Sequence, residues 1–121
     1  MTKILIVEDD RATTGLLKTV LEMEGFKAIV CPDPERVLGL VRQERPDLIF
    51  MDFHLAGTNS LSILQEIRGS KDLEETPVIM TSGLDRSQEC EQAGADSFMI
   101  KPFRPSNLMI EIRAVLDKRS Q

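Results

Sequence analysis

Short apolar runs recur along the chain: Ile4–Val7, Ala28–Val30, Leu48–Met51, Val78–Met80 and Phe98–Ile100. Each is too short for a helix and is rich in branched side chains. None alternates with polar residues, so both faces of each strand are expected to be buried. That is how the strands of a parallel sheet covered on both sides read. Between the runs lie helical patterns. Leu16, Leu17, Val20 and Leu21 are expected to share one face, with Gly25 as the stop. Val37, Leu38 and Val41 mark a second helix, entered through Asp33 as N-cap and Pro34 at the first position. Leu61, Ile63, Leu64 and Ile67 mark a third, ending at Gly69. A short polar fourth runs from about Arg86 to Ala93, and Gly94 ends it. The fifth starts at Pro105 and carries Leu108, Ile112, Val115 and Leu116.

The order is strand then helix, five times. Parallel neighbours need crossover connections, and helices supply them. The pattern therefore predicts a doubly wound α/β fold with helices on both faces of a five-stranded parallel sheet. The chain has 121 residues, which suits one domain over 1–121 with an ordered core over about 2–118. No repeat, low-complexity tract, linker or output domain is read from it, and Arg119 to Gln121 is expected to be a frayed tail or the start of a linker.

Composition adds exclusions. The net charge of -5 argues against a dedicated nucleic-acid surface, so no direct nucleic-acid contact is expected. The apolar stretch near Met1 is too short for a leader or a membrane span, so a cytoplasmic protein with no membrane contact is expected. Cys31 and Cys90 fit no metal spacing and are read as reduced thiols in or near the core.

In such a sheet, ligands bind beyond the carboxyl ends of the strands. The first apolar run ends in Glu8-Asp9-Asp10, the third in Asp52, the fourth in Thr81-Ser82-Gly83 and the fifth in Lys101-Pro102. Carboxylates, a hydroxyl and an ammonium thus converge on one edge. Two unit charges about 4 Å apart repel by roughly 4 kcal/mol at an effective dielectric near 20. Such a cluster must protonate, pair or bind a cation, and Mg2+ is a hard ion that accepts carboxylate oxygens. Its remaining positions suit phosphate oxygens, Lys101 would neutralise further phosphate charge, and Asp52 could form an acyl phosphate. Taken singly each feature has a plainer reading: Asp10 as a helix cap, Asp52 as a turn residue, Lys101 as a solvated strand end.

The segments Ile4–Asp10, Pro46–Asp52, Pro77–Gly83 and Ala93–Phe103, in that order, resemble the receiver domain of two-component response regulators. The resemblance covers essentially the whole chain. It implies a flavodoxin-like (βα)5 fold with strand order 2-1-3-4-5. It also implies Glu8 and Asp9 as the Mg2+-binding pair, with Asp52 and the main-chain carbonyl of His54 as further ligands. Asp52 would be the phosphoacceptor, Ser82 the switch hydroxyl, with Thr81 one place too early, and Lys101 the phosphate-pairing lysine. Phe98 would be the aromatic switch, and the bond ahead of Pro102 is often cis in the family. The implied partners are a sensor histidine kinase or histidine phosphotransfer protein upstream, and a downstream protein or fused output domain. The implied message is a repacking of the face built from helix four, strand five and helix five. On this reading the chain is a signalling domain that assists its own phosphorylation and dephosphorylation, not a turnover enzyme.

Three departures stand out. Family members usually carry proline at the Ala56 position and glycine at the Ser60 position, so a more mobile loop is expected after Asp52. The span from Ser82 to Lys101 is short by about one helical turn. Ser97 stands where many DNA-binding members carry a second acidic residue. His54, the only histidine, is read as a loop side chain that tunes access to the acceptor. The shortened fourth-helix region keeps a second reading open, a phosphorylation-independent interaction module on the same fold. A small metal-dependent phosphohydrolase is the third.

Overall fold

The computed structural model describes residues 1–119. Its elements are β1 (Lys3–Val7), α1 (Arg11–Met23), β2 (Lys27–Cys31), α2 (Val37–Glu44), β3 (Leu48–Asp52), α3 (Leu61–Gly69), β4 (Val78–Ser82), α4 (Ser87–Gln92), β5 (Ser97–Ile100) and α5 (Pro105–Arg119). The five strands form one parallel sheet in the order β2-β1-β3-β4-β5, as the family resemblance implies. A separate antiparallel pair, His54–Leu55 with Thr58–Asn59, follows β3.

Strand side chains alternate between the faces, and each face has its own core. Leu5, Val7, Ile49, Met51 and Met80 pack with Val37 and Val41 of α2, Ile63, Leu64 and Ile67 of α3, and Cys90 of α4. Ile4, Ile6, Leu48, Phe50 and Ile79 pack with Leu17 and Leu21 of α1 and with Leu108, Met109, Ile112 and Val115 of α5. The three inner strands are buried on both faces, apart from a partly exposed Lys3. The edge strands β2 and β5 are only part-covered, and Ile100 stands half in solvent.

Several local expectations are corrected. Leu16 is 58% exposed, while Thr14, Leu17 and Leu21 are buried. Adjacent helical residues diverge by about 100°, and α1 rests on the sheet through Leu17 and Leu21, which leaves Leu16 on its outer side. Asp33 caps a 3-10 turn over Pro34–Arg36, with its carboxylate accepting from Glu35 N at 3.0 Å, and α2 starts only at Val37. The fourth helix is six residues long, in line with the short span read from the sequence. Arg119 is not frayed: its guanidinium donates to Asp96 at 2.7 and 3.0 Å and to the Glu75 carbonyl at 2.8 Å. The remainder of the expected tail, residues 120 and 121, lies outside the described residues. Both cysteines are free and buried, as expected.

Candidate functional site

Strand register brings the candidate residues to one edge. Val7 pairs with Met51, so Glu8 follows β1 beside Asp52 at the end of β3. Asp52 pairs with Thr81, Ser82 with Ile100, and Lys101 N donates to the Ser82 carbonyl at 2.8 Å. β1 lies between β2 and β3, so the chain reverses its direction of winding there. The crevice at that reversal is where such sheets bind ligands.

The Lys101 ammonium donates to Glu8 Oε1 at 2.8 Å and to Asp52 Oδ2 at 3.2 Å. The second Glu8 oxygen accepts from Asp9 N at 2.9 Å and Asp10 N at 3.3 Å. Burial pushes the Glu8 carboxyl above its ordinary range, against the opposing bond from Lys101, and the Asp52 charge adds to the rise. Burial also works against the Lys101 ammonium, but its bond to Glu8 and the charges of Asp52 and Glu8 outweigh it and hold that pKa high. The peptide bond between Lys101 and Pro102 is cis.

Glu8, Asp9 and Asp52 each offer a carboxylate oxygen, and these oxygens lie within 4.8 Å of one another. Three carboxylates face a single ammonium, so negative charge is in excess. A hard divalent cation fits such an all-oxygen set. Asp10 does not join it. Its side chain accepts from Thr13 N at 3.0 Å and from the Thr13 hydroxyl, capping α1, and these bonds hold its carboxyl below the usual range. Of the three consecutive acids, only the first two turn inward.

Ser82 is buried and its hydroxyl accepts from Leu84 N at 3.2 Å. The Thr81 hydroxyl is committed to the Met99 carbonyl at 2.8 Å, which leaves Ser82 as the hydroxyl at the strand end. His54 N donates to Asp52 Oδ1 at 3.3 Å, while its ring is exposed and lies edge-on to Phe53. Phe98 is half-buried against the core under α2, α3 and α4.

The loop after Asp52 turns back on itself as a short hairpin. Its pair of short strands is joined by Ala56 and Gly57, both at positive φ, 49° and 80°. Ala56 N donates to Asp9 Oδ2 at 3.0 Å, and the wholly buried Ser60 hydroxyl donates to the Asp52 carbonyl at 2.6 Å. In the sequence Ala56 and Ser60 stand out only as departures from the family pattern, and nothing local signals their contacts with Asp9 and Asp52. The Arg86 guanidinium lies 5.1 Å from the centre of the Phe53 ring. An arginine four residues past Ser82 carries no periodic signal that would place it there.

Fold and site together define an α/β module that presents a lysine-braced carboxylate cluster at its topological switch point. The family model described as the response regulator receiver domain matches residues 4–113. The chain is 42% identical over 120 residues to the transcriptional regulatory protein CpxR of Klebsiella pneumoniae, covering 96% of this chain and 50% of that protein. It is 32% identical over 117 residues to the DNA-binding response regulator MtrA of Mycobacterium leprae, covering 94% of this chain and 51% of that protein. Among solved structures, the receiver domain of Francisella response regulator 1452 superposes with a TM-score of 0.89 at 29% identity, with full coverage of both chains. The BeF3-activated receiver domain of Klebsiella pneumoniae RstA superposes at 0.87 and 25% identity, covering 95% and 98%.

The chain belongs to the response regulator receiver domain family of two-component signalling. It spans about half the length of the relatives it matches. The expectation of no nucleic-acid contact finds no support there, since one of those relatives is DNA-binding by name. Net charge reports on the surface of this chain alone. Among the described residues, no helix is long and apolar enough to cross a membrane.

Proposed function

We propose that residues 1–121 form one receiver unit, a Mg2+-dependent switch that accepts a phosphoryl group on Asp52. The observation that carries this reading is the Lys101 ammonium bridging Glu8 and Asp52 beside Asp9. Glu8, Asp9 and Asp52, with the main-chain carbonyl of His54, would hold the cation. When bound, Mg2+ draws charge off the phosphoryl oxygens.

A carboxylate oxygen of Asp52 attacks the phosphorus of a phosphohistidine, the P–N bond breaks, and its electron pair leaves with the imidazole. Lys101, already 3.2 Å from Asp52, exchanges a carboxylate contact for a phosphoryl oxygen. The Ser82 hydroxyl donates to another. In the separate hydrolytic step a water attacks the same phosphorus in line, the bond from phosphorus to the Asp52 oxygen breaks, and Asp52 departs as carboxylate from inorganic phosphate. The domain thus assists its own phosphorylation and dephosphorylation without a turnover substrate. Phe98, on the face toward α4, repacks when Ser82 is drawn to the phosphoryl group, and the face of α4, β5 and α5 carries the message. The donor is a sensor histidine kinase or histidine phosphotransfer protein in the cytoplasm, and the receiver of the message is a downstream protein or fused output domain.

Incubation with a small acyl phosphodonor and Mg2+ tests this reading. A base-labile adduct is expected on the wild type and is lost in Asp52→Asn and with chelator. An undiminished adduct on Asp52→Asn overturns it. Binding of partners that Asp52→Ala leaves unchanged would favour the phosphorylation-independent module, a reading that rests on the six-residue α4.

A further inference from the structure

We propose that the main-chain N–H of Ala56 is a positioning group for the cation site, orienting Asp9 toward it. This rests on the receiver reading above. Two of the three carboxylates share the Lys101 ammonium at the end of β5. Glu8 is held by Lys101 and two amides, and Asp52 by Lys101 and His54 N. Asp9 is exposed, and it is held from a loop 47 residues away, by Ala56 N at 3.0 Å.

The geometry of the loop makes that donor available. Leu55 and Thr58 close the short antiparallel pair, and Ala56 and Gly57 form its two-residue connection. Positive φ at both positions is the signature of the type I′ hairpin turn. The first residue of such a turn donates nothing to the strand ladder, so its N–H is free to reach elsewhere. Here it reaches Asp9. The base of the same loop is tied to Asp52 through the Ser60 hydroxyl, and Ser60 N donates to the Phe53 carbonyl at 2.8 Å. The segment is therefore tied at its base to the Asp52 main chain and at its tip to the Asp9 carboxylate.

Proline is the residue that the family usually carries at this position. It has no N–H, and its ring fixes φ near about -65°. It can neither make this bond nor adopt this turn. The alanine is what permits both. An outer donor that fixes one oxygen of a ligating carboxylate leaves the other for the cation, and loss of such a partner typically weakens metal binding by about 10–100-fold.

The test is calorimetric titration of Mg2+ into the full chain, with thermal unfolding of the same samples. Ala56→Pro is expected to weaken Mg2+ binding by about tenfold. Ala56→Gly and Ala56→Asn keep the N–H and tolerate positive φ. They are expected to hold the wild-type affinity even where Tm moves. Proline binding within twofold of wild type overturns the inference, as does an equal loss in the glycine and asparagine variants. If the proline variant does not fold, the amide proton of Ala56 is followed by NMR. Asp9→Asn is expected to shift it upfield, and an unmoved resonance overturns the inference. No Mg2+ binding by the wild type would overturn the receiver reading itself, a distinct result.

Discussion

The hydroxyl of Ser60, fully buried, donates to the main-chain carbonyl of Asp52 at 2.6 Å. Asp52 is the last residue of β3, and its carbonyl sits where the ladder stops. Ser60 therefore satisfies an acceptor that the sheet leaves behind and closes the loop onto the strand end. Ser60→Ala removes the donor and leaves that carbonyl buried without it. Urea unfolding is expected to show a loss of about 1–2 kcal/mol. Ser60→Gly, which restores the usual family residue, is expected to lose at least as much, because glycine adds freedom to the unfolded chain. A neutral result for either would mean that the bond adds nothing to the fold.

Lys101 balances two carboxylates of the site, one of them nearly sealed from water. Lys101→Met leaves Glu8 and Asp52 facing each other without a counter-charge. Breaking a fully buried pair costs about 3–5 kcal/mol, and the partly exposed lysine lowers the expectation to about 1–3 kcal/mol. Mg2+ is expected to recover most of that loss, because it binds only the folded cluster. Thermal unfolding with chelator and with millimolar Mg2+ measures both. A variant that Mg2+ fails to stabilise would count against a cation at this cluster.

A second polar centre lies away from the carboxyl edge. Arg68 donates to the carbonyls of Gly94, Glu74 and Thr76 and to the Asp96 carboxylate. Arg119 holds the other oxygen of Asp96. The planar fork of arginine reaches all four acceptors, and a lysine cannot. Arg68→Lys is expected to cost about 2–3 kcal/mol, with phosphorylation at Asp52 retained. Gly94 has a φ of 105°, and a Cβ there would stand 2.8 Å from Arg68 Cγ. Gly94→Ala is expected to destabilise through backbone and contact together, read as a lower urea midpoint.

Cys90 is sealed on the inner side of α4, and burial pushes its thiol up to about 11. At pH 8 the folded protein carries roughly a hundredfold less thiolate at this position than an ordinary cysteine, as a rise of about two pH units implies. A thiol reagent is expected to label Cys90 only on unfolding. The sign for stability follows. The unfolded chain gives up this proton from about pH 9, the folded chain only near 11, so stability falls as pH rises through that window. A stability profile flat across it in wild type, or equally sloped in Cys90→Ala, would contradict this.

How much of the site was legible follows from which residues the strands position. Glu8, Asp52 and Lys101 each follow an apolar run directly and Ser82 lies one residue beyond another, and in a parallel sheet all such ends share an edge. Their convergence could be read without coordinates. The three consecutive acids could not be sorted that way. Asp9 turning to the site and Asp10 to the α1 cap depends on where the loop after β1 breaks from the sheet. By its apolar character Leu16 reads as part of the buried face, but α1 meets the sheet through Leu17 and Leu21 and leaves it outside.

The sequence by itself determined the five parallel strands, the helices on both faces and the edge on which chemistry collects, while the strand order followed from the family resemblance. Periodicity and strand ends are local, and topology converts them into position with little freedom. Only the tertiary structure decided how that edge is braced. Ala56 meets Asp9, Ser60 meets Asp52, and Arg68 meets Asp96 through hydrogen bonds between residues far apart in the chain. Such bonds need an angle and a distance within narrow limits. Loop conformation sets both, and no periodic pattern encodes it. The positive φ of Ala56 is the clearest case. From the sequence, an alanine in place of proline reads as a loosened loop. In the fold it frees the N–H that Asp9 receives.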